Sequence, residues 1–181
     1  MSRRVLPFVV SVLLTGLVAV GCGTDEDPDA PAVAWAEQVC ASVERGAATL
    51  ASPPATDPND PQGAKVVLAD YLGRVSQALD TVAGGIREAG APPVDDGQRA
   101  VDDALRTITE LRAALDSAKN RVARLETTDP AGFQQALTEV GNGLAEVGGV
   151  EGPTKDLKAN PALNTAFGKA PTCQKVDGSA E

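Results

Sequence analysis

Apolar residues recur every three or four positions along much of the chain, the period of one face of an α-helix. The pattern is most regular over residues 68–86 and continues over 95–125, where two successive intervals of three near Ile108 predict slight overwinding. These segments predict two long helices. Their apolar stripes are Leu68, Leu72, Val75, Leu79, Val82 and Ile86, and then Val101, Leu105, Ile108, Leu111, Leu115, Ala118, Val122 and Leu125.

Three further segments show the same period over shorter lengths. A first helix is predicted from Pro31 to about Ala51, and a fourth follows the sequence TTDP at 127–130. Residues 148–158 are predicted as a loop, and a short fifth helix starts at Asn160–Pro161 and stops near Gly168. The apolar positions are Trp35, Val39, Val43, Ala47 and Leu50, then Phe133, Leu137, Val140, Leu144 and Val147, then Leu163 and Phe167.

Prolines, glycines and capping residues separate these helices. Asp60 suits an N-cap and Pro61 the first helical position, while Gly90-Ala91-Pro92-Pro93 ends the second helix. No segment alternates apolar and polar residues as a strand would. The sequence therefore predicts an all-α fold, an antiparallel four-helix bundle with a short C-terminal helix over residues 31–175, followed by a disordered tail at 176–181.

The N-terminus has the three parts of an export signal. Arg3 and Arg4 precede an uncharged, mostly apolar run at 5–20, which is short for a bilayer span of ~20 residues. The run ends in Ala19-Val20-Gly21-Cys22, which resembles the bacterial lipobox, although Leu is more usual where Ala19 stands. We expect a lipoprotein signal peptide at 1–21 and a diacylglyceryl group on Cys22. An ordinary cleaved signal and an uncleaved anchor are the alternatives.

The residues after Cys22 predict a solvated tether. The sequence GTDEDPDAP at 23–31 carries four carboxylates and no large apolar side chain, so burial cannot offset the entropy of ordering it. A flexible acidic tether at 22–30 is the spacer that a lipid-anchored domain needs.

The charge of the chain excludes some partners. A chain beginning at Cys22 has 160 residues, with 14 basic against 25 acidic residues once Arg3 and Arg4 are removed, a formal charge of −11. Nucleic-acid binding needs clustered Lys and Arg, so we expect no nucleic-acid partner. Anionic lipid headgroups would also repel such a domain, and membrane association would depend on the anchor at Cys22.

Cys40 and Cys173 remain once Cys22 is lipidated. An even number of cysteines in an exported protein predicts a disulfide, with two separate thiols as the alternative. In the chain-entropy model, closing a loop of this length stabilises the fold by at most roughly 5 kcal/mol.

Residue types for common catalytic chemistry are scarce. The absence of His from the sequence excludes His-based triads and His-ligated zinc sites. The adjacent acids Asp95-Asp96 and Asp102-Asp103 would point about 100° apart on a helix, so a solvated, dipole-matched face is a simpler interpretation than acid–base catalysis. The sequence from Asp57 to Asp60 starts like a calcium loop, but Pro61 and Gln62 break the pattern. We predict no catalytic residues, no metal and no cofactor.

Trp35 is the only Trp, one turn before Cys40. Packing in the core is one interpretation, and an exposed anchor for a partner is the other, because aromatic residues dominate binding hot spots.

The lipobox, the Trp-x4-Cys spacing of Trp35 and Cys40, the Ala-rich helical middle and the closing sequence NPALNTAFGKAPTCQ at 160–174 together resemble small secreted lipoproteins of high-GC Gram-positive bacteria (actinobacteria). This resemblance implies a cellular location and an overall architecture, and it carries no catalytic residue over to this chain.

The expected function is that of a non-enzymatic, lipid-anchored protein on the outer face of the cytoplasmic membrane, engaging a protein or a cell-wall component. A carrier for a small apolar ligand is the alternative, with a cavity left by small residues such as Gly141 and Gly143. A hydrolase using a Ser and carboxylates is a third option.

Overall fold

A computed structural model describes residues 27–50, 55, 57, 59–148 and 154–178, with the backbone alone for 130, 140 and 143–148. Every regular element in these ranges is a helix, as predicted. None of the described helices combines the length and the apolar character needed to cross a bilayer. The helices are α1 (Ala30–Ala48), α2 (Pro61–Ala89), α3 (Gly97–Ala123), α4 (Pro130–Gly148), α5 (Lys155–Lys158), α6 (Pro161–Lys169) and α7 (Pro171–Val176).

The two long helices start and stop close to their predicted ends. The Asp60 carboxylate accepts a hydrogen bond from the Gly63 N–H at 2.9 Å, which confirms the predicted cap of α2. The helix ends at Ala89, and the C-cap residue Gly90 has a φ of 69°, which suits glycine. Asp96 also has a positive φ, 56°, so α3 begins two residues later than the predicted start at Asp95.

Helices α1 and α2 are antiparallel and very close together. Gly46 of α1 lies beside Ala78 of α2, and Ser42 lies against Gly85. A Cβ added at Gly46 would be 3.0 Å from the Ala78 carbonyl oxygen, and one added at Gly85 would overlap Ser42 Cβ. Small residues on both helices therefore permit the contact.

Helices α2 and α3 are antiparallel as well. A salt bridge of 2.8 Å joins Asp80 to Arg112, and Lys65 Nζ donates to the Leu125 carbonyl at 2.9 Å. The predicted stripes of both helices are buried or half-buried along their shared face. We call the end marked by Lys65 and Leu125 the far end, since it lies opposite the loop that joins α2 to α3.

The C-terminal part of the chain is more helical than predicted. Lys155–Lys158, predicted as loop, forms α5, and the segment after Gly168, for which no helix was predicted, forms α7. Gly168 does not stop α6, which continues to Lys169. Helices α6 and α7 pack on α1, and α5 packs on α3. Their buried side chains are Leu157, Leu163, Ala166, Phe167 and Cys173.

The packing differs along the length of α2 and α3. Near the loop joining them, α1 and the C-terminal helices complete the main core, whereas toward the far end a smaller cluster contains Leu72, Leu115, Ala118 and Val122. Helix α4 has its main described contacts with α3, and its residue Phe133 is buried. A bundle of four mutually packed helices is not confirmed by these contacts.

Candidate functional site

The predicted disulfide is confirmed and lies in the main core. Cys40 is in the middle of α1 and Cys173 is in α7, with a sulfur–sulfur distance of 2.11 Å and a Cα–Cα distance of 5.0 Å. Both residues are buried. The bond joins positions 133 residues apart, so it fastens the end of the chain to the first described helix.

Trp35 is a core residue that links three parts of the chain. Its side chain is 5% exposed, and its ring meets that of Phe167 edge-on at 6.3 Å between centroids. The indole N–H donates to the Gly90 carbonyl at 2.9 Å. These contacts agree with the packing interpretation of Trp35 and leave little surface for a partner. We call the region around Trp35, Phe167 and the disulfide the stapled end.

The first described residues of the chain are held at this stapled end. Lys169 Nζ lies 2.6 Å from a carboxylate oxygen of Asp29 and 3.5 Å from one of Asp27. The pKa of Asp27 is lowered, mainly by the hydrogen bond from the Asp29 N–H and also by Lys169. The pKa of Lys169 is raised, mainly by its hydrogen bond to Asp29. Cys22, the signal peptide and residues 22–26 of the tether lie outside the described residues.

Polar contacts hold α7 beside the disulfide. The Glu37 carboxylate accepts from the Thr172 N–H at 3.0 and 3.3 Å, and Lys158 bonds to Asp177 at 2.7 Å. Neither contact was predicted from the sequence, and nor was the pairing of Trp35 with Phe167. Helical periodicity gives the buried face of each helix, but it does not identify which distant segment covers that face.

The paired acids make separate local contacts. Asp96 bonds to Arg99 at 2.9 Å, Asp103 bonds to Arg106 at 2.6 Å, and Asp102 accepts from Gln98 at 2.8 Å. Asp102 and Asp103 therefore bond to different partners on α3, as expected for acids that diverge on a helix, whereas Asp95 and Asp96 lie in the turn before α3 and not on a helix. Within the described ranges, no group of three His, Cys, Asp or Glu residues is placed to hold a metal.

Two other polar sites have structural roles. Ser42 is fully buried, and its hydroxyl donates to the Val39 carbonyl at 2.6 Å, an arrangement that does not activate a nucleophile. In the turn before α2, the Asp57 carboxylate accepts from the backbone and side chain of Asn59 at 2.8 and 3.1 Å. That contact and the Asp60 cap account for this stretch as a turn.

A cavity of about 800 Å³ lies at the surface beside the loop between α2 and α3. Asn160 is one of its lining residues, and its side-chain amide donates to the Asp95 carbonyl oxygen at 2.8 Å. Gly141, proposed to leave a cavity between helices, is exposed and faces open space, and the side-chain space at Gly143 lies outside the described residues. The cavity lining comprises Pro92, Pro93, Val94, Asp95, Asp96, Asn160, Pro161 and Ala162.

Comparison with known protein families, with curated proteins and with solved structures finds no match for this chain.

Proposed function

We propose that the protein is a non-enzymatic module anchored by a lipid on Cys22 to the outer face of the cytoplasmic membrane, where it binds another protein or a cell-wall component. The observation that carries the proposal is the attachment of Asp27 and Asp29 to Lys169. A chain emerging from a membrane at Cys22 would reach this contact within five residues. The domain would then be held close to its anchor.

The stapled end suits that position. The disulfide, Trp35 and the hydrogen bond from Thr172 to Glu37 join both ends of the described chain into one unit. Helix α2 has 29 residues and so extends about 43 Å away from this end. A module built in this way would present its far end to partners in the envelope. We further propose that α4 is the fourth helix of an antiparallel bundle with α1, α2 and α3.

The polar groups favour binding over catalysis. Asp102 and Asp103 of α3 bond to neighbours on that helix, and the Ser42 hydroxyl is bonded within α1. The lipobox and cysteine pattern support our assignment of the chain to the actinobacterial lipoprotein type that it resembles.

Intact mass of the protein extracted from membranes tests the anchor. We expect a chain that starts at Cys22 and carries a diacylglyceryl group, with two thiols that react with an alkylating reagent only after reduction. A Cys22→Ala variant should remain unprocessed and lack the lipid. A wild-type chain that starts elsewhere and carries no lipid would overturn the anchored assignment.

Crosslinking in intact cells tests the interaction. The wild-type chain should capture a defined envelope component, and the same chain exported with an ordinary signal peptide should capture less of it. A component captured equally by an unrelated anchored domain of similar charge would be nonspecific. Failure of both chains to capture a specific component would count against an interaction module.

A further inference from the structure

A small cleft between α3 and α4 lies near the far end of the molecule. Arg121, Arg124 and Leu125 form one wall, and Ala136 and Glu139 of α4 form the other. Its volume is about 170 Å³. Pockets that enclose a whole small ligand measure about 300–1,000 Å³, so this cleft is of a size to hold the end group of a larger molecule.

The two arginines of the cleft lack acidic partners. Arg99, Arg106 and Arg112 each form a salt bridge of 2.6–2.9 Å within the chain. In the described part of the protein, neither Arg121 nor Arg124 has a carboxylate oxygen within 4.0 Å. Glu139 lines the facing wall of the cleft and forms no ion pair with either arginine.

The spacing of the arginines allows both to reach one anion. Arg124 is the C-cap residue of α3 and keeps a right-handed helical backbone, with φ −95° and ψ −2°, so it lies near Arg121, three residues earlier on the same face. Each guanidinium is a planar fork of five donors that fits a phosphate or a carboxylate. The chain has a net charge of −9. Two guanidinium groups without acidic partners in one cleft therefore form a small positively charged region on an acidic protein.

We propose that this cleft binds an anionic end group, a phosphate or a carboxylate, that carries an ammonium group beside it. Arg121 and Arg124 hold the anion, and Glu139 attracts the ammonium. The same Glu139 disfavours a purely anionic ligand through charge repulsion. The site does not involve Cys22, so the proposal is tested without reference to lipidation there.

Titration of the full chain in uncharged detergent, followed by ¹H–¹⁵N NMR at low ionic strength, tests the site. The probes are inorganic phosphate, O-phosphoethanolamine, acetate and glycine. We expect saturable shifts at Arg121, Arg124 and Glu139, with an amine-bearing probe binding more tightly than its amine-free counterpart. Tighter binding of O-phosphoethanolamine assigns a phosphate end group, and tighter binding of glycine assigns a carboxylate.

Two sets of variants separate the site from general charge effects. Arg121→Gln/Arg124→Gln should weaken binding of the preferred probe about tenfold or more. The matched control is Arg45→Gln/Arg87→Gln, which removes two exposed arginines from the last turns of α1 and α2 and should change binding less than twofold. Equal losses in the two double variants would overturn the site, because a helix-dipole or net-charge effect would then explain the binding.

Glu139→Gln tests the role of the acid. It should strengthen binding of the amine-free probe about fivefold and remove the advantage of the amine-bearing one. An unchanged preference in this variant would overturn the ammonium contact. Absence of saturable shifts with all four probes would overturn the whole proposal.

Discussion

Individual small residues set the distance between α1 and α2. The buried Ser42 hydroxyl donates a hydrogen bond to the Val39 carbonyl of the same helix, and the small Ser42 side chain leaves room for Gly85 to approach. Gly84, the next residue along α2, has open space where a Cβ would lie. Neighbouring glycines therefore have different roles, one permitting a close contact and the other lowering helix stability without a compensating contact.

Alanine at these two glycines should have opposite effects on stability. Gly84→Ala should stabilise the protein by up to ~1 kcal/mol, since alanine is the better helix former. Gly85→Ala gains the same propensity, but its Cβ overlaps Ser42 Cβ, and such overpacking costs about 1–3 kcal/mol. Urea unfolding followed by far-UV circular dichroism measures both. Ser42→Gly should rescue Gly85→Ala, and equal stability of the two alanine variants would refute the close contact.

The contact of Lys169 with the N-terminal acids should be visible in titrations. The lowered pKa of Asp27 gives stability that is present above the ordinary carboxyl pKa and is lost as the pH falls through the lowered value. The raised pKa of Lys169 gives stability that is present below the ordinary lysine pKa and is lost as the pH rises through the raised value. In Lys169→Met, the Asp27 pKa measured by NMR should rise but stay below normal, because the Asp29 N–H still donates. An unchanged pKa would show that Lys169 does not act on Asp27.

At the scale of the helices, the sequence determines the long elements better than the short ones. Helices α2 and α3 have several turns of apolar periodicity and clear end signals, so both were predicted to within a few residues. Helices α5 and α7 have four and six residues, too few to show a period or to be stable alone. They exist because α5 packs on α3 and α7 is fastened to α1, which are contacts between distant segments.

The start of α2 depends on a local contact that a substitution can remove. Asp60→Ala should lower the free energy of unfolding by about 1 kcal/mol, because it leaves the Gly63 N–H without its side-chain acceptor. Asp60→Asn keeps an acceptor oxygen and should lose much less. Thermal unfolding followed by circular dichroism compares the two. Equal losses would mean that the charge of Asp60, and not its hydrogen bond, stabilises the helix end.

At the scale of the whole molecule, the two candidate sites differ in how far the sequence predicts them. Counting cysteines identified Cys40 and Cys173, because only one pairing is possible once Cys22 is assigned to the lipid. The cleft at Arg121 and Arg124 could not be found in this way. It arises where the end of α3 meets Glu139 of α4, and the periodicity of each helix does not fix how two helices lie against each other.

The disulfide should determine how stably α6 and α7 are attached to the rest of the domain. In Cys40→Ser/Cys173→Ser the unfolded chain regains the freedom of a loop spanning 133 positions, so the free energy of unfolding should fall by about 2–5 kcal/mol. Trp35 reports on the same event, because Phe167 of α6 covers its ring. We expect red-shifted emission and stronger acrylamide quenching in the double variant and in the reduced wild type, while Cys22→Ala keeps the oxidised values. If the Trp35 emission and the free energy of unfolding are unchanged on reduction, the packing of Phe167 and Leu163 is enough to hold the C-terminal helices. The disulfide would then not be needed for the structure of the stapled end.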